Sequence, residues 1–238
     1  MSAYQRAVNR VPKVTTFKLI QAAGLSAVVA GLLFVLIQPL HPGDTLASVS
    51  TQSWTIIHIV TLFMAALFLV GIAGIYARQV EELGWLGLAG YVLLSLGLLV
   101  QMPFGFVEAF IQPLLAEGEP KVVEGLLGLV NGSASEVSLG AIPAIWATSG
   151  LLFLLGILLF GIANLRAGIL SRWASGVFAF GLLVFVPLGS LLPHEFQRLG
   201  AVPVGVGLAW LGYSLWSERP EPTPHSMPAI GTPAPGVA

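Results

Sequence analysis

Six long apolar stretches, separated by short polar segments, dominate the pattern of hydrophobic and polar positions along the 238-residue chain. Each stretch has roughly the 20 apolar residues that a helix needs to cross a bilayer core. None alternates as a membrane β-barrel strand does, and a backbone in lipid must satisfy its hydrogen bonds locally. The pattern therefore predicts an all-α integral membrane protein, a six-helix transmembrane bundle. The predicted spans are Phe17–Gln38, Trp54–Ala77, Leu83–Phe110, Leu139–Ala163, Ile169–Leu192 and Phe196–Trp216.

Two polar segments flank this predicted membrane domain. Residues 1–16 are basic, and residues 17–217 hold the six spans together with a long outer loop at about 111–138. Residues 218–238 are rich in proline and lack apolar periodicity, which predicts a disordered or polyproline-like tail. The outer loop surrounds an apolar patch at 122–130 that predicts a short helix along the membrane interface. Such a loop acts either as a lid or as a passive connector.

The composition narrows the class of protein further. Charged residues make up 9% of the chain, whereas soluble domains carry about 25%. This deficit excludes an ordinary soluble domain, a disordered chain and a nucleic-acid-binding protein. The absence of cysteine excludes disulfides, thiolate nucleophiles, zinc–thiolate sites and cysteine-ligated iron–sulfur clusters. The partner that the composition implies is the lipid bilayer.

The basic residues are distributed unevenly about the predicted spans. If the N-terminus is cytoplasmic, Lys121 and Arg198 are the two basic residues that fall outside. The other basic residues then lie on the cytoplasmic side, and an odd number of spans would remove this asymmetry. The positive-inside rule therefore predicts a multi-pass cell (inner) membrane protein with both termini cytoplasmic. The cytoplasmic set is Arg6, Arg10, Lys13, Lys18, Arg78, Arg166, Arg172 and Arg219.

A weak internal similarity relates two predicted helical hairpins, spans two–three and spans four–five. A duplicated parallel hairpin explains it, as in some transporters. The general use of arginine and tryptophan as interface anchors explains it equally well. The matching residues are Gly71-Ile72-Ala73, Arg78 and Trp85 in the first hairpin and Gly161-Ile162-Ala163, Arg166 and Trp173 in the second.

Stripes of small residues predict where helices pack closely. Small residues at four-residue spacing let the backbones of two membrane helices approach each other. The first and sixth spans each carry such a stripe, which favours either their pairing within one bundle or a homodimer face. The stripes are Ala23, Ala27 and Gly31 in the first span and Ala201, Gly205 and Ala209 in the sixth.

Polar side chains within the spans collect toward the predicted outer side, and ionisable groups at membrane depth are functional candidates. In the second span, His58 and Thr61 lie one turn apart on one face. His58 either contacts a ligand or bonds a neighbouring helix, and Glu108 is either buried or reaches the headgroups. The third span carries Gln101, Gly105, Glu108 and Gln112 on one face, and the fifth span ends near His194 and Glu195.

Prolines accumulate at the same level. Pro103, Pro143, Pro187 and Pro203 fall in or near the outer parts of four spans. A proline inside a helix removes an amide and frees a carbonyl one turn back. Because broken helices are tolerated at membrane depth beside protein or a wet cavity, we expect four kinks around an outward-facing vestibule.

Known chemical motifs add little. His58, Glu108 and His194 are weak candidates for a metal site, since no pair of ligands has the spacing that a metal-binding helix uses. Hydrolase, metalloprotease and phosphate-binding motifs are missing from the sequence. We therefore predict no metal and no cofactor.

Three functional hypotheses remain open. The first is binding or transport of a small amphipathic molecule or a lipid in the outer vestibule. The second is an accessory or structural subunit that holds a membrane protein partner. The third is an intramembrane enzyme that uses His58 or Glu108 for acid–base chemistry.

Overall fold

The computed structural model of the chain describes residues 14–189 and 198–219. Within these two ranges the regular elements are helices, and no strand occurs. The α-helices are α1 (Thr16–Leu40), α2 (Leu46–Val49), α3 (Gln52–Arg78), α4 (Val80–Phe106), α5 (Gln112–Leu115), α6 (Pro120–Asn131), α7 (Ile142–Ala167), α8 (Arg172–Gly189) and α9 (Val202–Trp216). A π-helical segment, Val107–Ile111, connects α4 to α5, and a 3-10 turn, Arg198–Ala201, precedes α9.

Five helical stretches in the described ranges are long and apolar enough to cross a membrane. The protein is therefore an all-helical bundle with the character of a membrane protein. The predicted fifth span, 169–192, overlaps α8, but its end lies outside the described residues, and the count of six spans stays a prediction. The five stretches are Thr16–Leu40, Gln52–Arg78, Val80–Leu115, Ile142–Ala167 and Arg198–Trp216.

The long helices form a closed ring in chain order. Each of α1, α3, α4, α7, α8 and α9 packs against the next, and α9 returns to pack against α1. The short connections between α3 and α4 and between α7 and α8 make the helices of each pair antiparallel, as in other bundles. One end of the ring contains the start of α3 and the π segment, and we name it the His58 end. The opposite end contains the junction of α3 and α4, and we name it the Arg78 end.

Aromatic side chains fill the interior of this ring. Phe68 is fully buried, and its ring centroid lies 6.3 Å from Phe34 of α1, 6.2 Å from Phe153 of α7 and 6.3 Å from Phe178 of α8. Edge-on and tilted arrangements at such distances are favourable for aromatic pairs. The helices therefore converge on a centre of packed aromatic rings.

Small residues bring α1 and α9 into backbone contact. A Cβ atom added at Gly205 would lie 2.7 Å from the carbonyl oxygen of Gly31, and one added at Gly31 would collide with Ala209. On its other side, α1 places Ala27 against Gly71 of α3 and Ala23 against Gly74. The two predicted stripes thus lie at helix contacts within one chain, with Ala201 in the 3-10 turn that precedes α9.

The two hairpins of the predicted duplication turn differently. Gln79 lies between α3 and α4, and α4 is interrupted at Gly84, whose φ is 55°, whereas α7 ends at Ala167 and is followed by Gly168 with a left-handed φ of 65°. Trp85 and Trp173 are alike in being 86% and 79% exposed, as interface anchors are. The duplication remains a hypothesis.

Two of the four expected proline kinks were predicted wrongly. Pro143 and Pro203 lie in the first turns of α7 and α9, where the amide needs no partner within the helix and proline is tolerated. Pro103 does lie inside α4, just before the π segment. The side chain of Pro187 lies outside the described residues.

A second, smaller core covers the His58 end. Val49 of α2, Trp54 of α3 and Ala116 pack with Val123 and Leu127 of α6. The short helix α6, which falls on the apolar patch of the outer loop, therefore rests on the bundle. The polar residues of the His58 end lie between this small core and the main one.

Candidate functional site

The structure divides the predicted site residues among three places. His58 and Glu108 meet at the His58 end. Thr61 and Gln101 line an apolar pocket deeper in the bundle. Gln112 lines a small cavity under α6, and His194 and Glu195 lie outside the described residues.

An unusual turn of backbone positions Glu108. In the π segment, the amide of Gln112 donates to the carbonyl of Val107, five residues back. Pro113 follows and has no amide to donate to the next carbonyl in that register, which belongs to Glu108. The indole Nε1 of Trp54 donates to this carbonyl instead, at 2.8 Å. The π segment and α3 are thereby joined at Glu108.

His58 links Trp54 to the Glu108 side chain. Its Nδ1 donates to the carbonyl oxygen of Trp54 at 2.8 Å, since a carbonyl can only accept. Its Nε2 lies 3.4 Å from Oε2 of Glu108, and the two side chains are 3% and 20% exposed. The proton on Nδ1 is used in the hydrogen bond to Trp54. The contact of Nε2 with the carboxyl oxygen is therefore favourable when either Nε2 or the carboxyl group carries a second proton. The pair is therefore a close contact between an imidazole nitrogen and a carboxyl oxygen, with the histidine buried.

The ring of His58 packs with two other rings, those of His41 and Trp54. The ring centroid of His41 lies 5.0 Å from that of His58 and 5.7 Å from Trp54, and Trp54 lies 4.3 Å from His58. Trp54 begins the second predicted span, where a tryptophan is often an exposed interface anchor, but its side chain is 1% exposed. The rings thus cover His58, whose side chain is 3% exposed, while the predicted vestibule residues His194 and Glu195 lie outside the described residues.

His41 belongs to the loop after α1 and is neutral at pH 7. Burial lowers the pKa of His41 to about 4, and the positive charge of Arg198 adds to this effect. Its Nδ1 donates to the carbonyl oxygen of Pro42 at 2.6 Å. A neutral imidazole packs against the rings of Trp54 and His58 without the cost of a buried charge.

Sequence reasoning missed the ion pair beside these rings. Arg198, at the entry to α9, lies 2.5 Å from the carboxylate of Asp44, whose side chain is 6% exposed. Asn131 at the end of α6 donates to the backbone carbonyl of Asp44 at 3.2 Å. These contacts join the first loop to α6 and α9. The sequence signal that could have found it is that Arg198 is one of the two basic residues on the predicted outer side.

The apolar pocket lies one helical turn deeper than the His58–Glu108 pair. Thr61 follows His58 by three residues, and Gly105 precedes Glu108 by three. Thr61 and Gly105 therefore both lie about one helical turn deeper in the bundle than the His58–Glu108 pair. The pocket has a volume of about 140 Å³. Its lining comes from α1, α3, α4 and α7: Phe34, Thr61, Leu62, Met64, Ala65, Leu98, Gln101, Met102, Gly105 and Phe153.

The small cavity under α6 has a volume of about 10 Å³ and is lined by Glu108 and Gln112. Gln112 is 2% exposed, and its Oε1 has no hydrogen-bond partner among the described residues. Leu126, Leu129 and Val130 of α6 cover the cavity. Helix α6 therefore shields this face of Glu108.

No group of three histidine, aspartate or glutamate side chains in residues 14–189 and 198–219 is arranged to hold a metal. The weak metal hypothesis needs His194, which these ranges do not include, so it stays untested. Comparison of the chain with protein-family models, with curated proteins and with solved structures found no match.

Proposed function

We propose that this protein binds a small amphipathic molecule or a lipid inside the membrane, in the apolar pocket between α3 and α4. The observation that carries the proposal is the position of the pocket, one turn below the His58–Glu108 pair and beside Thr61 and Gln101. Pockets that are mostly apolar with a few polar groups are typical ligand sites. The polar part of the ligand would face Thr61 and Gln101, the two polar residues of the lining.

Charge supports an outward-facing orientation for the His58 end. Of the described basic residues, Lys121 and Arg198 lie at the His58 end. The Arg78 end carries the others, Lys18, Arg78, Arg166, Arg172 and Arg219. By the positive-inside rule, the Arg78 end then faces the cytoplasm, with both termini, and the protein resides in the cell membrane.

Filling the pocket tests the proposal. The variant Ala65→Phe places a ring in the pocket, because Ala65 is one of its lining residues. The neighbouring Ala66 is exposed on the outer face of α3, so Ala66→Phe is the matched control. Native mass spectrometry of protein purified in nanodiscs, with extraction of bound molecules, measures the occupancy.

We expect Ala65→Phe to reduce the copurified ligand at least tenfold and Ala66→Phe to leave it unchanged. Equal occupancy in both variants would refute the pocket as the site. A clean apo mass with a copurifying membrane protein would instead support the accessory-subunit hypothesis.

The enzyme hypothesis receives less support from the geometry. Both ring nitrogens of His58 are engaged, Nδ1 by the carbonyl of Trp54 and Nε2 by Glu108. An acid–base catalyst needs a free nitrogen or carboxyl facing its substrate. The rings of His41 and Trp54 cover the face from which a polar substrate would arrive.

A further inference from the structure

The volume of the apolar pocket limits the part of a ligand that fits in it. An engineered apolar cavity of about 150 Å³ holds one benzene molecule. The pocket here, at about 140 Å³, is of the same size. It therefore accommodates one six-membered ring or a short stretch of alkyl chain.

The walls of the pocket favour a flat group. The rings of Phe34 and Phe153 are nearly parallel, 14° apart, with centroids separated by 6.5 Å. Met64 and Met102 also line the pocket, and thioether sulfurs make favourable contacts with aromatic rings. An aromatic or quinonoid ring gains stacking and sulfur contacts that an alkyl chain does not.

Two polar groups in the lining distinguish a substituted ring from a hydrocarbon. The hydroxyl of Thr61 donates to the carbonyl of Ile57 at 2.9 Å, which leaves its oxygen as an acceptor. The amide of Gln101 has no hydrogen-bond partner among the described residues. An oxygen substituent on the ligand can hydrogen-bond this partly exposed amide, whereas a hydrocarbon cannot.

We infer that the pocket selects a single six-membered ring that bears a hydroxyl or carbonyl oxygen, the chemistry of phenols and quinones. Gln101 hydrogen-bonds that oxygen, and Phe34, Phe153 and the two methionines hold the ring. This inference rests on the proposed function, since it names the class of ligand for the same pocket.

Three fluorinated probes test it on the full chain in nanodiscs, by ¹⁹F NMR titration against empty nanodiscs. The probes are 4-fluorophenol, fluorobenzene and 1-fluorohexane, which separate the contributions of the oxygen, the ring and apolarity. We expect saturable binding of 4-fluorophenol at least tenfold tighter than that of fluorobenzene, and weaker binding of 1-fluorohexane. Binding of 1-fluorohexane as tight as that of 4-fluorophenol would overturn the inference.

Two glutamine-to-leucine substitutions test whether Gln101 causes the preference for 4-fluorophenol. Gln101→Leu should bring the affinity for 4-fluorophenol to within twofold of that for fluorobenzene. Gln38→Leu is the control, because Gln38 donates to the carbonyl of Phe34 in its own helix and does not line the pocket. An unchanged tenfold preference in Gln101→Leu contradicts the role of Gln101.

The pocket-filling variant separates failure of this inference from failure of the proposed function. If Ala65→Phe abolishes binding of 1-fluorohexane and that probe binds as tightly as 4-fluorophenol, the pocket binds ligands without selecting a ring. If no probe shows saturable binding in the unaltered protein, both the ring class and the pocket as a ligand site are refuted.

Discussion

The indole Nε1 of Trp54 donates a 2.8 Å hydrogen bond to the backbone carbonyl of Glu108, across the interface of α3 and the π segment. Pro113 cannot supply an amide to that carbonyl, so the side chain of a neighbouring helix supplies the donor. The carbonyl oxygen of Trp54 in turn accepts from His58. One residue thus orients both members of the His58–Glu108 pair.

Replacing Trp54 by phenylalanine should destabilise the protein. The substitution keeps an aromatic ring in the small core but removes the indole donor, which leaves the Glu108 carbonyl unpaired in a buried place. We expect a loss of about 1–3 kcal/mol in the free energy of unfolding. Thermal or denaturant unfolding in detergent measures it.

The matched control is Trp85→Phe, because Trp85 is 86% exposed. This change should alter stability by less than about 0.5 kcal/mol, as surface substitutions usually do. Equal effects of the two substitutions would show that the hydrogen bond from Trp54 contributes nothing particular.

Much of the architecture could be predicted from the apolar pattern. Helical spans are readable because lipid demands about 20 apolar residues per helix. Periodicity predicted one face for Gln101, Glu108 and Gln112, but Gln101 lines the apolar pocket and Gln112 lines the cavity under α6. The approach of His58 to Glu108 depends on the packing of α3 against the π segment, which no local pattern encodes. A tryptophan near a span end is equally compatible with an exposed anchor and with the buried donor that Trp54 is.

The helix boundaries show a related limit. Pro143 and Pro203 were expected to kink their spans, but each helix begins at the proline. Proline suits both a first turn and a kink, so its meaning depends on where the helix starts. Thr61 and Gln101 were predicted as candidate residues of an outer vestibule, but the apolar lining around them was not predicted, because side chains of four helices form it.

The contact between α1 and α9 predicts a sharp effect at Gly205. A Cβ there would lie 2.7 Å from the carbonyl oxygen of Gly31, in backbone that cannot yield without separating the helices. We expect Gly205→Ala to lower stability by about 1–3 kcal/mol, as overpacking does. Unfolding in detergent checks this.

Gly150 of α7 provides the control for Gly205→Ala. Nothing lies within 4 Å of a Cβ added at Gly150. Gly150→Ala should therefore keep or raise stability by up to about 1 kcal/mol, because alanine is the better helix former. A loss of stability in Gly150→Ala similar to that in Gly205→Ala would refute the close-contact explanation.

Stability should fall in mild acid because of His41. The pKa of His41 is about 4 in the folded protein, below the ordinary histidine value of 6.5, so the unfolded chain binds the proton first as the pH falls. The contribution of neutral His41 to the free energy of unfolding is fully present above about pH 6.5 and declines between pH 6.5 and 4. Below about pH 4 it changes no further. The charged and titratable groups that act on His41 are Arg198, Asp44 and His58.

The size of the His41 effect is about 2 kcal/mol, since one pKa unit corresponds to about 1.4 kcal/mol and partial exposure of the side chain reduces it. Unfolding measured from pH 7.5 to 4 in His41→Phe and in the unaltered protein isolates this residue from the acids. Parallel curves for the two proteins would show that His41 does not cause the decline.

A buried amide pair at the Arg78 end offers a test by double substitution. Gln79 Nε2 donates to Oδ1 of Asn164, and Asn164 Nδ2 donates to the carbonyl of Phe160. Gln79→Met leaves the Asn164 oxygen unpaired and should lower stability by about 1–3 kcal/mol. Adding Asn164→Leu should recover part of that loss, because both partners are then apolar. If the losses simply add, the pair is not coupled.

The orientation of the bundle can be decided directly, because the chain has no cysteine. Gly118 is exposed at the His58 end, where a side chain meets nothing within 4 Å, and Ser217 is exposed at the Arg78 end. A single cysteine at each position reports its side of the membrane. In intact spheroplasts, a membrane-impermeant maleimide should label Gly118→Cys and spare Ser217→Cys until the cells are lysed.

Labelling in the reverse order would place the His58–Glu108 pair and the apolar pocket nearer the cytoplasm. The positive-inside argument would then fail for this chain, since Lys18, Arg78, Arg166 and Arg172 would face outward.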